Sequence, residues 1–166
     1  MKKIETERKY VISKPDISAL AAQSGFTSSE ITQIYLKDEE KTHRIRKRVY
    51  SDGQVEYTEN TKQRISHMSS VESEREIDAE VFERLKADIE PLTHPVIKKR
   101  ITFEFVGKTF EIDIYPEWER SAILEVELKS ENEKIEFPEF INVLKEVTGM
   151  REYSNHSMAY KFPKEL

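Results

Sequence analysis

The sequence predicts an α+β domain dominated by strands, and three observations predict it. Charged side chains recur at every second position in several segments, apolar residues fill the alternate positions, and turn residues punctuate the chain. Successive side chains of an extended chain point to opposite faces, so each such segment has one charged and one apolar face. Hydrophobic residues make up 37% and charged residues 36%. That ratio suits a small sheet with one buried face better than a doubly wound sheet buried on both. About eight strands and three helices are expected.

The opening strand runs over residues 4–12. Pro15 and Asp16 introduce a short helix over 17–24, stopped by Gly25. A strand follows at 31–36. Residues 44–50 and 54–61 form a hairpin about Ser51-Asp52-Gly53, where the Asp-Gly pair supplies the turn. Residues 71–77 make another strand, after which Asp78 caps a helix carrying Val81, Phe82, Leu85 and Ile89 at helical spacing. Three further strands lie at 97–106, 109–115 and 123–128, with Gly107-Lys108 turning the first pair. Pro138 opens a helix carrying Phe140, Ile141, Leu144 and Val147, ended by Gly149. The tail, 150–166, has aromatics but no period. With no linker, repeat or low-complexity block, the 166 residues are expected to form one domain, 1–166.

A formal net charge of −5 opposes a nucleic-acid partner, which demands a basic surface. The absence of cysteine excludes disulfides and thiolate zinc sites. No apolar run opens the chain and no stretch reaches transmembrane length, so a soluble cytoplasmic protein without a membrane partner is expected.

The charged faces carry the chemistry. Glu5, Glu7 and Lys9 share a face, and two carboxylates about 7 Å apart can help hold a hard divalent cation. Arg44, Arg46 and Arg48 share another, and their planar guanidinium forks match phosphate oxygens. Lys62 ends the next strand, and Lys98 with Arg100 repeats the two-residue cationic step. Acidic strands alternate with these: Glu72, Glu74 and Glu76, then Glu111 and Asp113, then Glu125 and Glu127. Two arrangements fit. The sheet is either open, with a salt-bridged face in solvent, or closed about a tunnel lined by both signs of charge. Burying ions costs several kcal/mol each unless they are paired or ligated, so a closed lining points to an anionic ligand with metal ions.

These residues resemble the CYTH superfamily, the triphosphate tunnel metalloenzymes. Its ExExK signature stands here as Glu5-Thr6-Glu7-Arg8-Lys9. Further blocks follow in order: Gln33-Ile34-Tyr35-Leu36, Arg44-Ile45-Arg46, Lys62, Glu72-Ser73-Glu74-Arg75-Glu76, Lys98-Lys99-Arg100, Glu111-Ile112-Asp113, Glu125-Val126-Glu127 and Tyr153-Ser154-Asn155. The resemblance implies a closed eight-stranded antiparallel β-barrel forming a tunnel, with helices packed outside. It also implies a small-molecule triphosphate substrate and Mg²⁺ or Mn²⁺. Arg44, Arg46, Lys62, Lys98 and Arg100 would grip phosphate oxygens, Glu5, Glu7, Asp113, Glu125 and Glu127 would hold metal, and Lys9 with Tyr35 would orient the attacking water. Ser154 and His156 stand where several small bacterial members carry lysines, and His156 is read as a surface residue.

The resemblance implies a metal-dependent phosphohydrolase, with inorganic triphosphate as first substrate; a monomer or homodimer is expected. The alternatives are a class IV adenylyl cyclase making cyclic AMP and pyrophosphate, a thiamine triphosphatase in which Trp118 stacks on the substrate ring, and a non-catalytic polyphosphate binder.

Overall fold

A computed structural model describes residues 2–166. Nine strands are present: β1 (Lys2–Ser13), β2 (Thr27–Leu36), β3 (Thr42–Tyr50), β4 (Val55–Arg64), β5 (Ser69–Ile77), β6 (Val96–Phe105), β7 (Lys108–Ile114), β8 (Ser121–Leu128) and β9 (Val143–Glu146). The hydrogen-bonded order is β5-β4-β3-β2-β6-β7-β8-β1, and β1 also pairs with β5. The first eight strands therefore close into an antiparallel barrel, the closed alternative of the two left open by the strand chemistry.

Closure rests on β1, which serves two partners along one edge. Lys2–Thr6 pair with β5, and Tyr10–Ile12 pair with β9, while the other edge of β1 pairs with β8. Between them, the Glu7 amide donates to Met68 O and the Val147 amide donates to Lys9 O. The edge that β5 leaves is thus satisfied by the C-terminal segment, as a buried backbone requires.

Here the structure corrects an expected helix. Residues 138–149 do not form one; Val143–Glu146 is a strand and all four residues are exposed. Phe140 and Ile141 pack outside the barrel, and the chain then turns to pair with β1. Phe140 and Ile141 join the outer core, Leu144 is exposed and Val147 enters the interior cluster, so no single helical face accounts for the apolar spacing. The third helix lies in the tail instead: α3 (Asn155–Tyr160), whose N-cap Ser154 accepts from the Ser157 amide. The other two are α1 (Ile17–Ala21), capped by Asp16, and α2 (Ala79–Leu85), capped by Asp78.

The hairpins follow their turn residues. Gly53 takes φ +92° in the β3–β4 turn, where Gly53 N donates to Tyr50 O. The β6–β7 loop is the two residues Val106 and Gly107, at φ +49° and +73°, while Lys108 already belongs to β7.

Apolar side chains mostly face outward into two cores. One lies over β1, β6, β7 and β8, where Leu20 of α1 and Ile135, Phe137, Phe140 and Ile141 cover Ile12, Phe103, Phe110 and Leu124. The other lies under α2, where Phe82 covers Ile34, Leu36 and Ile45. A third cluster, of Val11, Tyr35, Tyr115, Ile123, Tyr153 and Met158, fills part of the barrel interior beside α3. Among the described residues no helix is long and apolar enough to cross a membrane.

Candidate functional site

The barrel encloses a cavity of about 820 Å³. Strand order decides its character, because cationic and acidic strands that alternate in sequence are sorted in space. Strands β4, β3, β2 and β6 are consecutive round the barrel, and they present Lys62 and Arg64, then Arg44, Arg46 and Arg48, then Arg100. Strands β7, β8, β1 and β5 make the other half, presenting Glu111, then Glu125 and Glu127, then Glu5 and Glu7, then Glu72 and Glu74. One half of the wall is basic and the facing half acidic. Lys9 is a cation set within the acidic half.

Several charges are paired across the cavity or along its wall. Lys9 Nζ lies 3.3 Å from Glu125 Oε1 and donates to Tyr153 O at 3.3 Å. Lys62 lies 3.3 Å from Glu5, Arg44 3.7 Å from Glu72, and Arg100 3.3 Å from Glu111. Pairing is incomplete, however. Among the described residues Arg44 Nε and Asn60 Oδ1 are buried with no hydrogen-bond partner, and Arg46 donates only to the neutral amide of Gln33. Burial, with Arg44 and Arg100 nearby, pulls Arg46 down to about 9.

The acidic half is under the opposite strain. Burial raises Glu5 to about 7 against the pull of Lys62, with Glu72 and Glu125 adding repulsion. Glu7 is raised well above the ordinary carboxylate range by burial and by Glu125 and Glu5. Glu125 stays low, at about 2, because Lys9 and Arg100 outweigh its burial. Crowded carboxylates pushed toward their neutral forms are an oxygen-only donor set that a hard divalent cation would relieve. Among the described residues no three such groups are already drawn together at metal-holding distances.

Of the residues singled out in the sequence, Glu5, Glu7, Lys9, Tyr35, Arg44, Arg46, Lys62, Arg100, Glu125 and Glu127 all line the cavity. Lys98 and Asp113 do not. They stand one layer behind Arg100, 1% exposed each, with Lys98 Nζ 2.8 Å from Asp113 Oδ2 and Arg100 Nε 2.8 Å from Asp113 Oδ1. Lys98, expected as a phosphate contact, instead donates to Asp113 and Asn155, and Asp113, expected as a metal ligand, accepts from Lys98 and Arg100. Burial would raise Asp113, but Arg100 and Lys98 together hold it well below the carboxylate range. Burial lowers Lys98 to about 7 despite Asp113. Asp113, with Glu111, holds Arg100 well above its ordinary value against the pull of burial.

Lys9 and Tyr35 line the same cavity from separate anchors. The Tyr35 hydroxyl accepts from Gln33 Nε2 at 2.5 Å, and its ring stacks on His156 at 4.9 Å. His156, expected at the surface, is part-exposed and also lines the cavity, bonded to Glu90 at 3.0 Å. Trp118 is 3% exposed, donates to Pro163 O and packs against Tyr115, Tyr153 and Phe162, away from this cavity. It is a packing residue, not a stacking platform for a substrate in the barrel. Arg48, Glu72 and Glu111 belong to the wall, and the alternation that marked their neighbours marked them too. Gln33 and Asn60 carry no charge to mark them.

This architecture has counterparts of known structure. An inorganic triphosphatase, NE1496, superposes with a TM-score of 0.59 at 26% identity, over 96% of this chain and 97% of that one. The PH1819 protein of Pyrococcus horikoshii OT3 gives 0.58 at 19% identity, over 77% and 80%. The chain has the CYTH triphosphate tunnel fold. HpAC1 of Hippeastrum, named as an adenylyl cyclase and described as revealing a dominant triphosphatase activity, gives 0.50 at 18%, over 75% and 80%. No protein-family model and no curated protein matches the sequence.

Proposed function

We propose that the protein is a divalent-metal-dependent phosphohydrolase of linear triphosphates, with inorganic triphosphate its first substrate. The observation that carries this is the sorting of the cavity into a basic and an acidic half. A polyanion laid on the basic half offers oxygens to a cation on the acidic half, and each removes charge that the empty wall leaves uncompensated. The likeness to an inorganic triphosphatase over nearly the whole of both chains supports the same choice.

Arg44, Arg46, Lys62 and Arg100 bind and orient the phosphate chain. Asp113, itself paired with Lys98, holds Arg100 from behind. Glu5, Glu7, Glu125 and Glu127 are the residues that would hold Mg²⁺ or Mn²⁺, some through water. A metal bound there would neutralise phosphate oxygens and polarise the phosphorus under attack. Lys9, fixed by Glu125 and the Tyr153 carbonyl, and the Tyr35 hydroxyl are the polar groups that position the attacking water. Water adds to a terminal phosphorus and pyrophosphate leaves.

The test is phosphate release from tripolyphosphate, ATP, GTP and thiamine triphosphate with Mg²⁺ or Mn²⁺. Metal-dependent release, fastest with tripolyphosphate and reduced on the order of 10²–10³-fold in Arg46→Ala, is expected. Cyclic AMP as the main product from ATP would establish a cyclase instead. Saturable tripolyphosphate binding without turnover would establish a binding module.

A further inference from the structure

Arg46 differs from the other cations at the heart of the basic half in what holds it. Lys62, Arg44 and Arg100 each lie within 3.7 Å of a carboxylate. Arg46 instead donates through Nε at 3.1 Å and through an Nη at 2.8 Å to a single oxygen, Oε1 of Gln33. Among the described residues it makes no salt bridge. Gln33 is fully buried behind the wall and does not line the cavity. Its Nε2 donates to the Tyr35 hydroxyl, which leaves that hydroxyl's own proton available to the cavity. The amide orientation is set from both sides, because turning it over would face donor to donor at Arg46.

A glutamate would fill the same volume and make a charge-assisted pair with a guanidinium that burial otherwise penalises. For the empty protein that would be the more stable choice. A neutral acceptor fixes the direction of Arg46 yet leaves its charge to be satisfied by something else. We infer that Gln33 is a positioning residue that aims Arg46 and Tyr35 into the cavity while leaving the Arg46 charge unspent, and that the neutrality of this amide sets the affinity for a phosphate chain. This rests on the triphosphate reading of the cavity.

The experiment measures binding of inorganic tripolyphosphate by calorimetry in chelator, with the melting temperature of each protein alongside. Gln33→Glu is expected to bind about ten- to a hundredfold more weakly, the loss of one charge-assisted contact, while melting at the same temperature or higher. Its salt dependence should be shallower, since one fewer cation is offered to the anion. Gln33→Met, which removes the acceptor without adding charge, is expected to bind more weakly with the salt slope unchanged. Wild-type protein that binds tripolyphosphate neither in chelator nor with Mg²⁺ would overturn the triphosphate reading and this inference with it; where binding needs Mg²⁺, the same comparison of variants is read with it. Wild-type binding matched by Gln33→Glu would overturn the inference alone. Should Gln33→Glu fail to fold, Gln33→Met decides, and an unchanged dissociation constant there overturns the positioning role.

Discussion

Asp113 and Lys98 form an ion pair almost sealed from solvent, 2.8 Å from Nζ to Oδ2, and Asp113 also receives Nε and an Nη of Arg100 at 2.8 and 2.9 Å. Removing one member of such a group leaves uncompensated buried charge, which costs about 3–5 kcal/mol. Asp113→Asn should therefore lower unfolding stability by that order near pH 7, as read from denaturant titration. A carboxylate held below its ordinary value contributes stability present above its unfolded pKa and lost only as pH falls through the folded one. The contribution should accordingly persist into mildly acid solution. A change under about 1 kcal/mol would show that Asp113 does not anchor Arg100.

That pair marks where the sequence stops being informative. A period of two tells which face of a strand a side chain occupies, so Glu5, Glu7, Arg44, Arg46, Glu125 and Glu127 were legible as one charged surface. Depth along the barrel is not encoded in that period. Lys98 and Asp113 share a face with Arg100 and Glu111 yet lie behind them. Strand order is hidden too, because the sorting into basic and acidic halves depends on β2 pairing with β6, residues distant in sequence. The segment after Pro138 misled for another reason. Phe140 and Ile141 answer to the outer core, residues 143–146 to the open edge of β1 and Val147 to the interior cluster, and together they imitate a helical stripe.

Burial and neighbouring carboxylates raise Glu5 from 4.5 to about 7. The sign follows from linkage: the folded state holds this proton more tightly, so the group's contribution to stability falls as pH rises from about 4.5 to about 7. In chelator, Glu5→Gln should be stabilised relative to wild type at pH 8 compared with pH 5, by up to about 3 kcal/mol. Adding Mn²⁺ should stabilise wild type more than the variant at pH 8. Equal responses of the two proteins at both pH values would remove Glu5 from the acidic cluster.

Val106 takes φ +49° in the two-residue turn between β6 and β7, and its side chain is largely exposed. A β-branched residue is strained there, whereas asparagine or glycine tolerates positive φ. Val106→Asn should stabilise the fold by about 0.5–1 kcal/mol, or about 1–4 °C in melting temperature for a chain of this size. Phosphate release should not change, since the turn lies off the cavity wall. A lower melting temperature would mean that the turn is not strained as described.

Lys9 and Tyr35 offer the sharpest test of the chemistry, because they share the cavity without sharing an anchor. Lys9 is fixed by Glu125 and the Tyr153 carbonyl, and Tyr35 by Gln33 and the ring of His156. Packing roles would cost stability in each variant and leave kcat per folded molecule nearly intact. Joint positioning of one water makes a different demand. Lys9→Ala and Tyr35→Phe should each lower kcat by about 10²–10³ with a smaller change in KM. The double variant should then lose little more than the worse single one, because groups that act as a unit are not additive. Losses that multiply would assign the two residues separate tasks, and an undiminished kcat in Tyr35→Phe would return Tyr35 to the role of a core aromatic on an inner strand.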